Sequence, residues 1–181
     1  NLSKLCSLGF IDGLYGKFPR IDKSLIEQYH EGLIATSCCI GAEIPQALVH
    51  KDDQKAEQLL QWWLNIFGDD FYIEIQRHRG LDNLDIIVDG KRKLSGVSQE
   101  EVNQKLLVLA DKYNVQVIAT NDAHYVEEED WIAHDMLLCI NTGSLVSDQD
   151  RFKFSSSDFY FKTKAEMEAL FSDVPSALDN T

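Results

Sequence analysis

An aspartate and a histidine, Asp122 and His124, stand two residues apart in the stretch IATNDAHY at positions 118–125. Side chains two apart on an extended chain share one face, so the carboxylate and the imidazole project together. An oxygen ligand beside a nitrogen ligand is half of a divalent metal site. The alternative is structural: Asp122 would cap a helix beginning near Glu127, and His124 would hydrogen-bond to it. The spacing alone leaves both interpretations open.

Predicted strands and helices would position this pair. Val115, Val117 and Ala119 recur at every second position, which predicts a buried strand from 115 to about 121. Further strands are predicted at 32–39, 71–78 and 158–162, and helices at 1–9, 21–29, 52–67, 98–113, 127–139 and 163–171, with helix starts also near Pro45 and Pro175. Such alternation favours an α/β fold with a mainly parallel sheet, open or closed into a barrel.

Polar or soft side chains fall at the carboxyl ends of three predicted strands: Cys39, His78, Asp122 and His124. Active residues in parallel α/β folds gather at these ends, so the convergence supports a metal site. Residues 71–78 alternate apolar and polar side chains, and the polar row fits either a barrel interior or the solvated face of a sheet. On a strand Cys38 and Cys39 face opposite ways, so at most one of them joins a cluster on a given face.

Composition limits the class of protein. The chain has 181 residues, 44% of them hydrophobic and 26% charged, which is typical of a soluble globular domain. Its net charge of -13 disfavours nucleic-acid binding by the chain as a whole, although a local basic patch or a metal could still bind a phosphate. No membrane span or signal segment is predicted, and four cysteines without framework spacing indicate a reducing cytoplasm. A start at Asn1 suggests a piece of a longer protein.

Local signals predict several boundaries. Asp22 is expected to cap the helix at 21–29, and the Ser98–Glu101 and Thr163–Glu166 pairs suit helix N-termini. The glycine-containing and aromatic residues 10–20 predict a loop. Residues 79–98 predict a hairpin-like surface insertion around an Asp89–Gly90 turn. The three cations that follow this turn, Lys91, Arg92 and Lys93, predict a solvated tip.

Several sequence runs resemble a known family. They are EGLIATSCCIGAEIP at 31–45, FYIEIQRH at 71–78, ATNDAHY at 119–125 and AHDMLLCI at 133–140, with NLSKL at 1–5, FYFK at 159–162 and PSALDNT at 175–181. In this order they resemble the polymerase-and-histidinol-phosphatase (PHP) domain of bacterial replicative DNA polymerase III alpha subunits. The resemblance covers nearly the whole chain and leaves out only 79–98.

This resemblance implies a distorted (β/α)7 barrel with a cluster of divalent metals, zinc or manganese, at its strand ends. In some members the cluster supports phosphoester hydrolysis, including 3′-5′ exonuclease activity, and in others the domain is a scaffold. Carried over by position, the implied metal ligands are Cys39, Asp122 and His124. The family usually has a glycine where this chain has Cys38. His78 matches a recurrent histidine near the site, whereas His134 is expected to anchor its helix.

The resemblance also implies that the segment 1–181 is an incomplete PHP domain. The early ligands, beginning with a His-x-His pair, would precede Asn1, and the polymerase palm would follow Thr181. The parent would be a cytoplasmic DNA-directed DNA polymerase in DNA replication. The segment alone would be inactive, and its metal site could be empty. Expected partners are the rest of the alpha subunit, the proofreading exonuclease subunit, other replisome components and, through the parent, DNA. The alternatives are a non-catalytic scaffold that binds the proofreading subunit and a stand-alone PHP-type phosphatase.

Overall fold

Helices alternate with short strands along the chain in the computed structural model, which describes residues 1–88 and 91–181. Within these ranges the helices are α1 (Leu2–Ile11), α2 (Lys23–Tyr29), α3 (Glu43–Val49), α4 (Asp53–Phe67), α5 (Gln99–Tyr113), α6 (Trp131–Thr142), α7 (Lys164–Leu170) and α8 (Ser176–Asp179). The strands are β1 (Leu14–Tyr15), β2 (Phe18–Pro19), β3 (Ala35–Thr36), β4 (Phe71–Ile75), β5 (Asp85–Val88), β6 (Lys91–Leu94) and β7 (Val117–Ala119). In the described part of the chain, no helix is both long enough and apolar enough to span a membrane.

A parallel three-stranded sheet in the order β3-β4-β7 forms the centre of the fold. Ala35 pairs with Phe71, and Ile75 pairs with Ala119, so the three strands end at the same edge of the sheet. Helices connect the strands, as parallel pairing requires. The prediction of an α/β fold with parallel strands is confirmed, and the arrangement is that of part of an α/β barrel.

The core lies on one face of this sheet. Phe71, Ile73 and Ile75 of β4 are almost completely buried and pack against apolar side chains of α3, α4 and α5. Between them, Tyr72 and Glu74 point to the opposite face and are half-buried. The alternation predicted for 71–78 is therefore confirmed over residues 71–75, where it separates an apolar face from a polar one, but β4 ends at Ile75, three residues earlier than predicted.

Helix starts follow the predicted local signals. The Asp22 carboxylate accepts the Leu25 backbone N–H at 3.0 Å. Ser98 begins α5 and Thr163 begins α7, each with a complete capping box. These predictions are confirmed because a cap depends on residues within one turn of the chain.

β3 and β7, the two outer strands of the central sheet, are shorter than predicted. The segment 32–39 forms only β3, and 115–121 forms only β7. Cys38 and Asp122 have φ angles of 61° and 46°, in the left-handed region that a strand cannot continue through, so neither strand can reach its predicted C-terminal end. Residues 158–162 form no strand and pair only through a Tyr125–Tyr160 bridge, so that prediction was wrong.

Two hairpins stand beside the sheet. β1 and β2 pair antiparallel within residues 10–20, where a loop was predicted, so that prediction was wrong. β5 and β6 pair antiparallel within 79–98, while the predicted Asp89–Gly90 turn lies outside the described residues. Both ends of this second segment are anchored, because Leu84 and Val97 are buried in the main core.

The outer edge of β7 is covered by the residues that follow α8. The Asn180 side chain donates to the Val117 carbonyl at 3.0 Å. The Thr181 hydroxyl accepts the Ala119 backbone N–H at 3.3 Å and donates to the Ala177 carbonyl at 2.7 Å. These side chains satisfy backbone groups that a neighbouring strand would otherwise pair with.

Candidate metal centre

A cleft of about 990 Å³ opens at the carboxyl ends of the three parallel strands. Cys39 follows β3, His78 follows β4, and Asp122 with His124 follows β7; all four line this cleft. The structure therefore brings to one cavity the side chains that sequence places at equivalent strand ends. Whether they bind metal depends on their individual geometry.

His124 has one ring nitrogen free for a ligand. Its Nδ1 lies 2.6 Å from the backbone carbonyl oxygen of Asp122. A carbonyl only accepts, so Nδ1 carries the proton and the lone pair is on Nε2. This is the tautomer in which a histidine binds a metal through Nε2 while its other nitrogen fixes the orientation of the ring. Phe154 also holds the ring edge-on, with the centroids 4.7 Å apart.

Asp122 does not cap the following helix. The 3₁₀ turn Glu128–Asp130 is instead capped by Glu127, whose side chain and backbone bond reciprocally with Asp130. The predicted capping role of Asp122 is therefore wrong, whereas the hydrogen bond from His124 to Asp122 in the same interpretation is present, to the backbone carbonyl. The left-handed backbone of Asp122, at φ 46°, is a conformation that aspartate tolerates better than most residues. It turns the chain so that both Asp122 and His124 face the cleft.

The two adjacent cysteines differ in their surroundings. Cys39 is half-buried and lines the cleft, whereas Cys38 is largely exposed. Partial burial of its thiol, together with the nearby Cys39 and Glu74, raises the pKa of Cys38. Because Cys39, unlike Cys38, lines the cleft together with Asp122 and His124, it is the better candidate of the two. The left-handed φ of 61° at Cys38 gives a physical reason for the glycine that the resemblance implies at this position.

His78 lines the cleft, but both of its ring nitrogens already have partners. Nε2 lies 3.0 Å from the Asn121 carbonyl oxygen, so Nε2 donates. The Gln99 Oε1 accepts the His78 backbone N–H at 2.8 Å, which orients the amide so that its NH₂ donates to Nδ1 at 3.1 Å. Burial lowers the pKa of His78, as expected for a ring held neutral. His78 is therefore a structural histidine that ties the ends of β4 and β7 together.

Glu74 of β4, a residue to which the sequence assigned no role, connects the ends of the three strands through hydrogen bonds. Glu74 accepts hydrogen bonds from the hydroxyls of Thr36 and Thr120 and from the Gln76 amide. The Thr36 hydroxyl in turn accepts the backbone N–H of Cys38 at 3.1 Å. Glu74 thus braces the turns that carry Cys39 and Asp122. The available signal was its place in the polar row of 71–78.

The predicted ligands share a cleft without forming a coordination sphere. Within residues 1–88 and 91–181, no three His, Cys, Asp or Glu side chains are close enough to hold one metal ion. The donor types nevertheless fit: a thiolate, a carboxylate and an imidazole suit zinc or another borderline divalent ion better than magnesium. These residues could supply part of a metal site that needs further ligands.

A parallel sheet whose strands are connected by helices defines an α/β domain, and comparison with known proteins shows what this domain is similar to. Residues 1–78 match the PHP domain. The DNA polymerase III alpha subunit of Borreliella burgdorferi is 41% identical over 181 residues, covering 100% of this chain and 14% of the relative. The alpha subunit of Thermus aquaticus is 42% identical over 170 residues, which are 94% of this chain and 12% of the relative. The alpha subunit of Pseudomonas aeruginosa is 35% identical over 181 residues, which are 100% of this chain and 14% of the relative.

These matches confirm the resemblance. Along its whole length the chain matches the region of DNA polymerase III alpha subunits that contains the PHP domain. It spans only about a seventh of the length of the Borreliella and Pseudomonas relatives.

Proposed function

We propose that this chain supplies the late ligands of a PHP-type metal site within a replicative DNA polymerase III alpha subunit. It would be the later part of the PHP domain, with residues 79–98 as an insertion and with the remaining ligands in an earlier segment. The observation that carries the proposal is that Cys39, Asp122 and His124 line one cleft, with the His124 Nε2 lone pair free.

The reaction proposed for the intact site is phosphoester hydrolysis, including removal of 3′ nucleotides. Zinc or manganese bound there would lower the pKa of a water molecule and polarise the phosphodiester. The roles of this chain are to hold its donors in place: the Asp122 carbonyl orients His124, and Glu74 braces the turn that carries Cys39. The parent polymerase activity, the contact with DNA and the cytoplasmic location are proposals of the same kind.

A scaffold role is the second candidate, and exposed apolar surface favours it. Ile132, Leu137 and Ile140 of α6 are all more than half exposed, as are Phe10 and Ile11 of α1. Faces of this kind mark contacts with other protein. They could pack against the rest of an alpha subunit or against a proofreading exonuclease subunit. The matched relatives are polymerase subunits, which gives the stand-alone phosphatase no support.

Metal analysis of the full-length protein tests the first candidate against the second. Cys39→Ser combined with Asp122→Asn should release bound metal and abolish hydrolysis of an oligonucleotide that the polymerase active site cannot extend. Cys38→Ser is the matched control, and it should leave both unchanged. If the double variant keeps its metal and its hydrolytic rate, these residues are not ligands and the scaffold role is favoured.

A further inference from the structure

Cations and aromatic rings alternate in the sequence RFKF at positions 151–154, and this segment lines the same cleft as Asp122 and His124. Alternation of positive charge with aromatic rings is a feature of surfaces that bind single-stranded nucleic acid. The overall charge of -13 opposes such binding, so a local arrangement of groups would have to provide it. The contacts of each side chain show which groups are available.

Arg151 is committed to the structure of the protein. Its guanidinium donates to both carboxylate oxygens of Asp135 on α6, each at 2.6 Å, and its side chain is only 8% exposed. This bidentate pair fixes the segment against α6. Lys153, by contrast, is exposed, and no carboxylate of residues 1–88 or 91–181 forms an ion pair with it. Lys153 is therefore the cation that can meet a phosphate.

The two phenylalanines connect this segment to the candidate metal centre. Phe154 packs against His124, with centroids 4.7 Å apart, and Phe152 packs edge-on against Phe154 at 5.9 Å. Phe152 is 52% exposed, so part of its ring is open to solvent. A base stacked on Phe152 would therefore be separated from His124 by two rings, those of Phe152 and Phe154.

The same cleft is lined by a further cation, Arg92 of β6. Lys91, Arg92 and Lys93 are all exposed, as the sequence predicted, so Arg92 lines the cleft from a solvated position. Asp85 pairs with Arg92 at 2.7 Å and holds it in position on the hairpin. Asp122 and Asp150 also line the cleft, and their charges disfavour a phosphate away from the two cations. The acidic groups thus limit where a strand can lie.

From this arrangement we propose a subsite for single-stranded nucleic acid in which a base stacks on Phe152 and the adjoining phosphate pairs with Lys153, in a cleft that Arg92 also lines. The inference rests on the proposed function, because it supplies the strand whose phosphodiester would reach the metal centre. It adds to that function a specific substrate contact. The insertion at 79–98 is then one wall of the substrate cleft.

Photocrosslinking in the full-length protein tests this subsite. The probe is an eight-nucleotide thymidine strand with 5-iododeoxyuridine at its 3′ end, and crosslinked peptides are identified by mass spectrometry. A crosslink should map to Phe152, and Phe152→Ala should weaken binding at this position roughly tenfold, as loss of one stacked base does. Phe152→Tyr should restore it. A plot of log affinity against log salt concentration has a negative slope. Lys153→Ala should make this slope shallower by about 0.7, the value for one phosphate contact on a single strand.

Controls separate this subsite from the metal centre. Phe161→Ala removes a more exposed phenylalanine outside the cleft, and Lys55→Ala removes a cation outside it, so both should crosslink like the wild type. The effects of Phe152→Ala and Lys153→Ala should persist when Cys39→Ser and Asp122→Asn have removed the metal. The absence of a crosslink at Phe152, or a crosslink in this segment that survives Phe152→Ala, overturns the subsite whether or not the protein binds metal.

Discussion

Thr36 and Glu74, on neighbouring parallel strands, are joined by a 2.7 Å hydrogen bond from the threonine hydroxyl to the carboxylate. Through the same hydroxyl, Glu74 reaches the backbone of Cys38, and through Thr120 it reaches the turn at Asp122. One half-buried carboxylate therefore restrains the turns after β3 and β7 together. The precision of the candidate metal centre depends on it.

Glu74→Leu is expected to lower the free energy of unfolding by about 1–3 kcal/mol, because it leaves the Thr36, Thr120 and Gln76 donors without their acceptor. Urea unfolding measures this loss. Glu31→Ala, at an exposed position on the loop before β3, should change stability by less than about 0.5 kcal/mol. Equal effects of the two substitutions would show that Glu74 braces nothing.

Cys38→Gly is expected to stabilise the protein by about 0.5–1 kcal/mol. A left-handed φ of 61° strains any residue with a Cβ, and the gain exceeds the greater chain entropy of an unfolded glycine. Thermal or urea unfolding provides the measurement. Metal content should stay constant, since Cys39 is the predicted ligand, whereas Cys39→Gly should reduce it. A Cys38→Gly protein that is less stable than the wild type would contradict the backbone strain at Cys38. A Cys38→Gly protein that loses metal would contradict the choice of Cys39 as the ligand.

His78→Phe is expected to lower stability by about 1–3 kcal/mol without changing metal content. The substitution keeps the stacking on Phe159, whose ring centroid lies 4.1 Å away, but it removes the hydrogen bonds to Asn121 and Gln99. His124→Phe is the comparison, because it should reduce metal affinity while removing only one backbone hydrogen bond. Metal loss in the His78 variant would make His78 a ligand.

Asp158 is expected to make stability depend on pH in the acid range. Burial alone would raise the pKa of Asp158, but hydrogen bonds from Arg79 and Ser156 outweigh it and lower the pKa to about 2. Since the folded-state pKa lies below the unfolded value of about 3.9, the stabilisation is complete above pH 4 and is lost as the pH falls towards 2. It should amount to about 1–2 kcal/mol, allowing for solvent around Arg79.

Urea unfolding of wild type and Asp158→Asn between pH 5 and pH 2 provides the measurement. The difference in stability between the two proteins should shrink steadily as the pH falls. A constant difference over this range would show that the Asp158 carboxylate is not preferentially ionised in the folded state.

The sequence was sufficient to predict features that depend on residues close together in the chain, such as helix caps, and features that follow from the topology of a parallel sheet. The capping boxes at Ser98 and Thr163 are local, and the placing of Cys39 and Asp122 at one edge follows from parallel topology. The ligand roles themselves stay a prediction. What could not be read from sequence depends on distant partners: the two hydrogen bonds that occupy His78 come from Gln99 and Asn121, 21 and 43 residues away.

Strand lengths failed for a different reason. Alternating side chains in 32–39 and 115–121 are compatible with longer strands, but a residue in the left-handed region keeps each one from reaching its predicted C-terminal end. Neither cysteine nor aspartate signals such a conformation as clearly as glycine does. The hairpin within 10–20 was missed because its strands are only two residues long.

The covering of β7 by Asn180 and Thr181 makes the central sheet extensible in one direction only. An additional strand cannot dock beside β7 without first displacing these two side chains. It can dock beside β3, whose far side pairs with no other strand in the described part of the chain. Any strand added to this sheet would therefore lie on the side of β3, next to the strand that leads to Cys39.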